Sequence, residues 1–207
     1  MKIIRKDEII NSITLDVKGD INDILEDAEV FRGKKMSVKS LVKALDQGHY
    51  ALLNHVYVKV KMKIPYYSAM HFRTHTDLNF SIRSQRLEID PEIYIDDMFL
   101  NSNLKLFLEH FENSFYNSVD SVNAEKTRTL SFQGQLCTVM MSGSLKDIYF
   151  MLLQRACHFA DPITREIALD INNKLANIFP EFEDHFNHRC YAASKVCNFK
   201  CLRSKII

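Results

Sequence analysis

Between Ser37 and Gln47 the apolar residues Val38, Leu41, Val42 and Leu45 fall at i, i+3, i+4 and i+7, which lines one face of a helix. Gly48 supplies the stop, because glycine accepts the left-handed backbone that closes a helix. The period then changes. Val56, Val58, Val60, Met62 and Ile64 alternate with Tyr57, Lys59, Lys61 and Lys63, a half-buried strand with its lysines on the wet side. Pro65 ends that strand, and a short helix over Tyr66 to Phe72 leads into a polar segment from Arg73 to Arg86.

Helical spacing returns from Asn103 to Val122, where Leu104, Phe107, Leu108, Phe111 and Phe115 share a side. Thr129 to Met141 is strand-like in parts, best over Leu136 to Met141. Two further helices are predicted, over Ser144 to Cys157 and over Asp161 to Ile178; the second buries Ile163, Ile167, Ile171, Leu175 and Ile178. The first thirty residues are mixed, with Ile3, Ile4, Ile9 and Ile10 as anchors and an acidic patch from Asp20 to Glu29. Helix, strand, helix cluster, strand and helices in that order predict an α+β fold.

Composition narrows the function classes. A 207-residue chain with 46% hydrophobic and 26% charged residues is an ordinary globular composition. A net charge of +1 gives no bulk field for nucleic acid or a membrane surface, but leaves room for a local phosphate pocket. The N-terminal MKIIRKDEII has no secretory apolar run, and no stretch reaches the roughly 18 apolar residues of a membrane span. Five cysteines, mostly late in the chain, suit reduced thiols. The expectation is a cytoplasmic protein, in the host cytoplasm if it is viral.

Three separated segments carry a resemblance. Gly48-His49-Tyr50-Ala51-Leu52-Leu53-Asn54-His55 precedes the strand and follows the pattern GH-x-S/T-x-x-E-H, with Ala51 at the hydroxyl position and Asn54 at the glutamate position. Thr74 to Leu87 overlays R-H-R-x-x-S-x-N-E-x-S-x-R-Y, keeping His75, Ser84 and Arg86 but not the residues at Thr74, Thr76, Ser81, Ile82 and Leu87. Arg128 opens a strand-like segment and Arg155 follows inside a helix, before Ala156 to Asp161 and with Pro180 closing the next helix. In order and spacing these segments resemble the flavin-dependent thymidylate synthase (ThyX) family over roughly residues 36 to 182.

The resemblance implies a central antiparallel sheet flanked by helices, in one domain over 1–182 with a basic tail over 183–207. It implies methylation of dUMP at C5 with methylenetetrahydrofolate and reduced FAD, in a homotetramer whose subunits share active sites. Ser84, Gln85 and Arg86 would grip the nucleotide phosphate, with Arg128 as a second phosphate arginine, since the guanidinium fork matches phosphate oxygens. Arg155 would contact the uracil ring, favour ionisation at N3 and act as the catalytic cation. His75 and His49 would contact cofactor.

Plainer readings stand beside these. Ser84 equally suits a cap or turn, and His49 and His55 equally suit capping or core roles. An arginine in a polar segment is commonly a solvated surface residue, whereas Arg155, in a helix beside Phe150, Met151, Leu152 and Leu153, needs a partner or a ligand. Flavin contacts are the departures: Thr74 and Thr76 replace two arginines, Ser81 and Ile82 an asparagine and a glutamate, and Ser144 and Phe150 two asparagines. A flavin-independent dUMP hydroxymethylase and a non-catalytic uracil-nucleotide-binding protein are therefore the alternatives. His185, His188, Cys190, Cys197 and Cys201 match no standard zinc-finger spacing. No metal is assigned to them, and a reduced tail is the expectation.

Overall fold

The apolar half of the alternating lysine strand becomes the floor of the core. In the computed structural model, which describes residues 1–84, 91–115, 132–157 and 159–187, this strand is β3 (Tyr57–Pro65). Its Val58, Val60, Met62 and Ile64 are all buried to within 1%. The chain reaches it through β1 (Lys2–Ile4), α1 (Lys6–Asn11), β2 (Thr14–Lys18), α2 (Ile21–Arg32), α3 (Val38–Asp46) and a 3₁₀ turn over Tyr50–His55. After it come α4 (Tyr66–Arg73), β4 (Asn79–Ile82), β5 (Glu92–Tyr94), α5 (Ser102–Phe115), β6 (Leu136–Ser144), α6 (Leu145–Arg155), α7 (Pro162–Ile178) and α8 (Glu183–Asn187).

Four strands form an antiparallel sheet in the order β2-β3-β6-β4, and β1 pairs with β5 in a separate parallel ribbon. The register sets Val58 opposite Gly143, Val60 opposite Met141, Met62 opposite Val139 and Ile64 opposite Cys137, so a two-residue period on both strands feeds one apolar face. The other face carries Lys59, Lys61 and Lys63 with Thr138, Met140 and Ser142. The expected antiparallel sheet is thus present.

Helix ends follow sequence chemistry. Ser37 caps α3, and Gly48 takes a φ of 88°, the left-handed conformation foreseen for the stop. The acidic patch is a capping box for α2: the Asp20 carboxylate accepts from the backbone N–H of Asn22 at 2.6 Å, and Asp23 returns the bond to the Asp20 N–H at 2.7 Å. Ser144 and Asp161 cap α6 and α7 by accepting from the backbone N–H of Asp147 and Thr164.

Several expectations change. The polar segment after Arg73 contains an edge strand, β4, paired to β6. Its four residues are too few for their alternation to stand out from a loop. Phe107, expected on the buried side of α5, is 52% exposed while Leu108 is buried. Ile178, expected in the core, is 46% exposed because it is the last residue of α7. Residues 116–122 of the predicted long helix, and 129–131 of the strand-like segment, lie outside the described residues. The segment expected as tail from residue 183 opens with α8, whose buried Phe186 meets Tyr149 edge-on with ring centroids 6.2 Å apart.

Candidate functional site

Helix α6 starts where β6 ends and carries Arg155 in its last turn, where the negative end of the helix dipole favours a cation. Helix α4 follows β3 and ends on Thr74, after which His75 enters a turn held by the Leu78 N–H donating to the His75 carbonyl at 3.2 Å. A hydroxyl pair, Thr164 Oγ1 donating to Ser68 Oγ at 3.0 Å, ties α4 to α7 in the core. The two helix ends meet at Arg155. Its Nε donates to His75 Nε2 at 3.0 Å, and its Nη2 donates to Thr74 Oγ1 at 2.6 Å. The Thr74 hydroxyl in turn donates to the His71 carbonyl at 2.8 Å.

These contacts define protonation. Because His75 Nε2 accepts, its proton sits on Nδ1 and the ring is neutral. Burial, then the adjacent Arg155 charge, holds the His75 pKa below its ordinary value; Asp77 opposes them. Burial also lowers the Arg155 pKa, but an arginine keeps its proton at any physiological pH. Among the described residues no carboxylate pairs with Arg155. A half-buried cation held by two neutral acceptors keeps its charge available to an anion.

The structure therefore brings together two residues that the sequence set 80 positions apart, Arg155 and His75. It adds Thr74, which sequence reading treats only as a lost arginine. No pattern in the sequence signals its role, because the contact joins the ends of two helices.

Four of the positions that depart from the flavin pattern, Thr74, Ile82, Ser144 and Phe150, are committed to internal contacts, while Ser81 and Thr76 are exposed. Thr74 is engaged by Arg155 and His71. Thr76 is exposed and uncharged, and Ile82 packs against the core. Ser144 caps α6, accepting from the Asp147 N–H at 3.2 Å, and also lies 3.4 Å from Asn54 Oδ1. Phe150 meets Tyr50 edge-on with centroids 5.2 Å apart. A flavin diphosphate is held best by cations; none of these residues supplies one, and the exposed Thr76 and Ser81 hydroxyls offer only neutral donors, so they do not fit FAD in the family's manner.

Of the remaining candidates, Ser84 is exposed. His49 is exposed at the entrance to the 3₁₀ turn, with its N–H donating to the Ala44 carbonyl at 3.0 Å. Nearby His55 pairs with Asp27 at 2.9 Å. Gln85, Arg86 and Arg128 lie outside the described residues, as do His188, Cys190, Cys197 and Cys201. His185 lies 3.4 Å from Asp46. Among the described residues no three metal-ligating side chains converge, and no helix is long and apolar enough to cross a membrane.

An antiparallel sheet backed by helices, with an arginine at a helix end that pairs with no carboxylate among the described residues, defines an α+β protein. A family model described as "Thymidylate synthase complementing protein" matches residues 8–181. The chain belongs to that family, the ThyX thymidylate synthases. A search of the curated proteins gives no match.

Proposed function

We propose that the protein transfers a one-carbon unit from methylenetetrahydrofolate to C5 of dUMP. The observation that supports this most directly is Arg155, a half-buried cation with no carboxylate partner among the described residues. Beside the uracil ring it stabilises negative charge at N3 and the C4 oxygen. That charge is delocalised to C5, which attacks the folate methylene as its carbon–nitrogen bond opens. The C5 proton then leaves. Arg86, Gln85 and Ser84 hold the phosphate, with Arg128 as a second cation. His75 keeps the Arg155 guanidinium in place, and His49 borders the folate side. The active form is a cytoplasmic homotetramer with sites shared between subunits.

Two outcomes are open to the transferred methylene. Reductive methylation to thymidylate, the family reaction, takes two electrons from reduced FAD. Addition of water after tetrahydrofolate departs gives 5-hydroxymethyl-dUMP with no reductant. The second outcome is favoured by the commitment of Thr74, Ile82, Ser144 and Phe150 to internal contacts.

The test is incubation with dUMP and methylenetetrahydrofolate, with and without FAD and a reductant, followed by nucleotide chromatography. Hydroxymethyl-dUMP formed without flavin supports the second outcome. Thymidylate formed only with flavin, together with a bound-flavin absorbance spectrum, supports methylation. Tight dUMP binding with no product identifies a non-catalytic nucleotide-binding protein, and no dUMP binding overturns the proposal.

A further inference from the structure

We infer that Thr74 is a positioning residue for Arg155: with neutral His75 it fills the side-on edge of the guanidinium and leaves the adjacent end-on edge to the nucleotide. This rests on the reading of Arg155 as a nucleotide ligand. A guanidinium has five N–H donors in a planar fork. The Nε and Nη2 hydrogens on the side-on edge run parallel, and a carboxylate commonly grips both. Here His75 Nε2, at 3.0 Å from Nε, and Thr74 Oγ1, at 2.6 Å from Nη2, take the two places of a carboxylate. Both are neutral, so the guanidinium is oriented without being neutralised. A carboxylate in their place would orient it equally well but would compete with an incoming anion.

Thr74 can act as acceptor because its proton is already placed. The hydroxyl donates to the His71 carbonyl at 2.8 Å, one of the terminal carbonyls that α4 leaves without a helical partner. Its lone pairs are then free for Nη2. A lysine or arginine at this position has no acceptor to offer and would repel Arg155. Valine keeps the shape and loses the acceptor; serine keeps the acceptor. The Nη1 hydrogens and the second Nη2 hydrogen have no partner among the described residues. One Nη1 hydrogen and the second Nη2 hydrogen form the end-on edge, a second parallel pair suited to a uracil carbonyl and ionised N3.

An arginine oriented before binding loses less rotamer freedom when the ligand arrives. Thr74→Val is therefore expected to weaken dUMP binding about 2- to 10-fold, with Thr74→Ser restoring most of it. Two measurements on the full-length protein separate this from the reading beneath it. Calorimetric titration with dUMP tests nucleotide binding in the wild type, Thr74→Val and Thr74→Ser. Proton NMR of the Arg155 guanidinium in the ligand-free protein, assigned by its loss in Arg155→Lys, reports hindered rotation about Cζ–Nη2. Hindered rotation in the wild type and Thr74→Ser, lost in Thr74→Val, is expected and supports positioning even if dUMP does not bind, a result that would sink only the nucleotide reading. Rotation equally free in all three proteins overturns the inference, as does a wild type that binds dUMP measurably but no more tightly than Thr74→Val does.

Discussion

Arg155→Met separates a binding arginine from a structural one, because the two roles predict opposite balances of stability and affinity. The substitution keeps a long unbranched side chain on α6 and removes the charge. On the stability side it deletes two hydrogen bonds, to His75 and Thr74, each with a net contribution of about 1 kcal/mol. Thr74 is exposed and His75 half-buried, so water can replace the lost donor at both. Against that loss stands relief from burying part of a cation that no carboxylate compensates. The terms oppose one another, and the net change is expected within about 1 kcal/mol, a melting shift of about 2–4 °C or less for a chain of this size. On the affinity side a charge-assisted contact is lost, worth about 1.5–3 kcal/mol, or about a 10- to 150-fold weaker Kd for dUMP. Thermal unfolding followed by circular dichroism gives the first quantity and calorimetric titration the second. A variant that binds dUMP like the wild type, or one that unfolds outright, would refute the reasoning.

Two further outcomes are expected. The His75 pKa lies below its ordinary 6.5 in the folded protein, so the unfolded chain binds the proton first as pH falls. The stability contribution is fully present above 6.5 and declines as pH drops toward the folded pKa. His75→Gln, which accepts from Arg155 without titrating, should lose less stability than the wild type over that window; parallel stability-against-pH curves would contradict the assignment. Gly134→Ala should destabilise by about 1–3 kcal/mol, because a Cβ there would stand 2.4 Å from the Tyr94 carbonyl oxygen and force backbone to move; an unchanged urea midpoint would contradict the close approach.

What local sequence settles here is what short-range physics controls. The lysine strand, the α3 face with its glycine stop, and the spans of α6 and α7 were all legible, because side-chain period and helix stops act over a few residues. The order and spacing of three degraded motifs were enough to indicate the family. Elements whose residues carry no clear period were not legible: the short edge strands β2 and β4 owe their conformation to β3 and β6, which supply their hydrogen bonds. The same limit applies to the site. The sequence marked Arg155 and His75 as separate candidates, but only the return of α4 and α6 from neighbouring strands puts their C-terminal ends together. Thr74 reads as a missing arginine in sequence and as the acceptor that orients Arg155 in the fold, because a hydrogen bond across 81 residues is a property of tertiary packing alone.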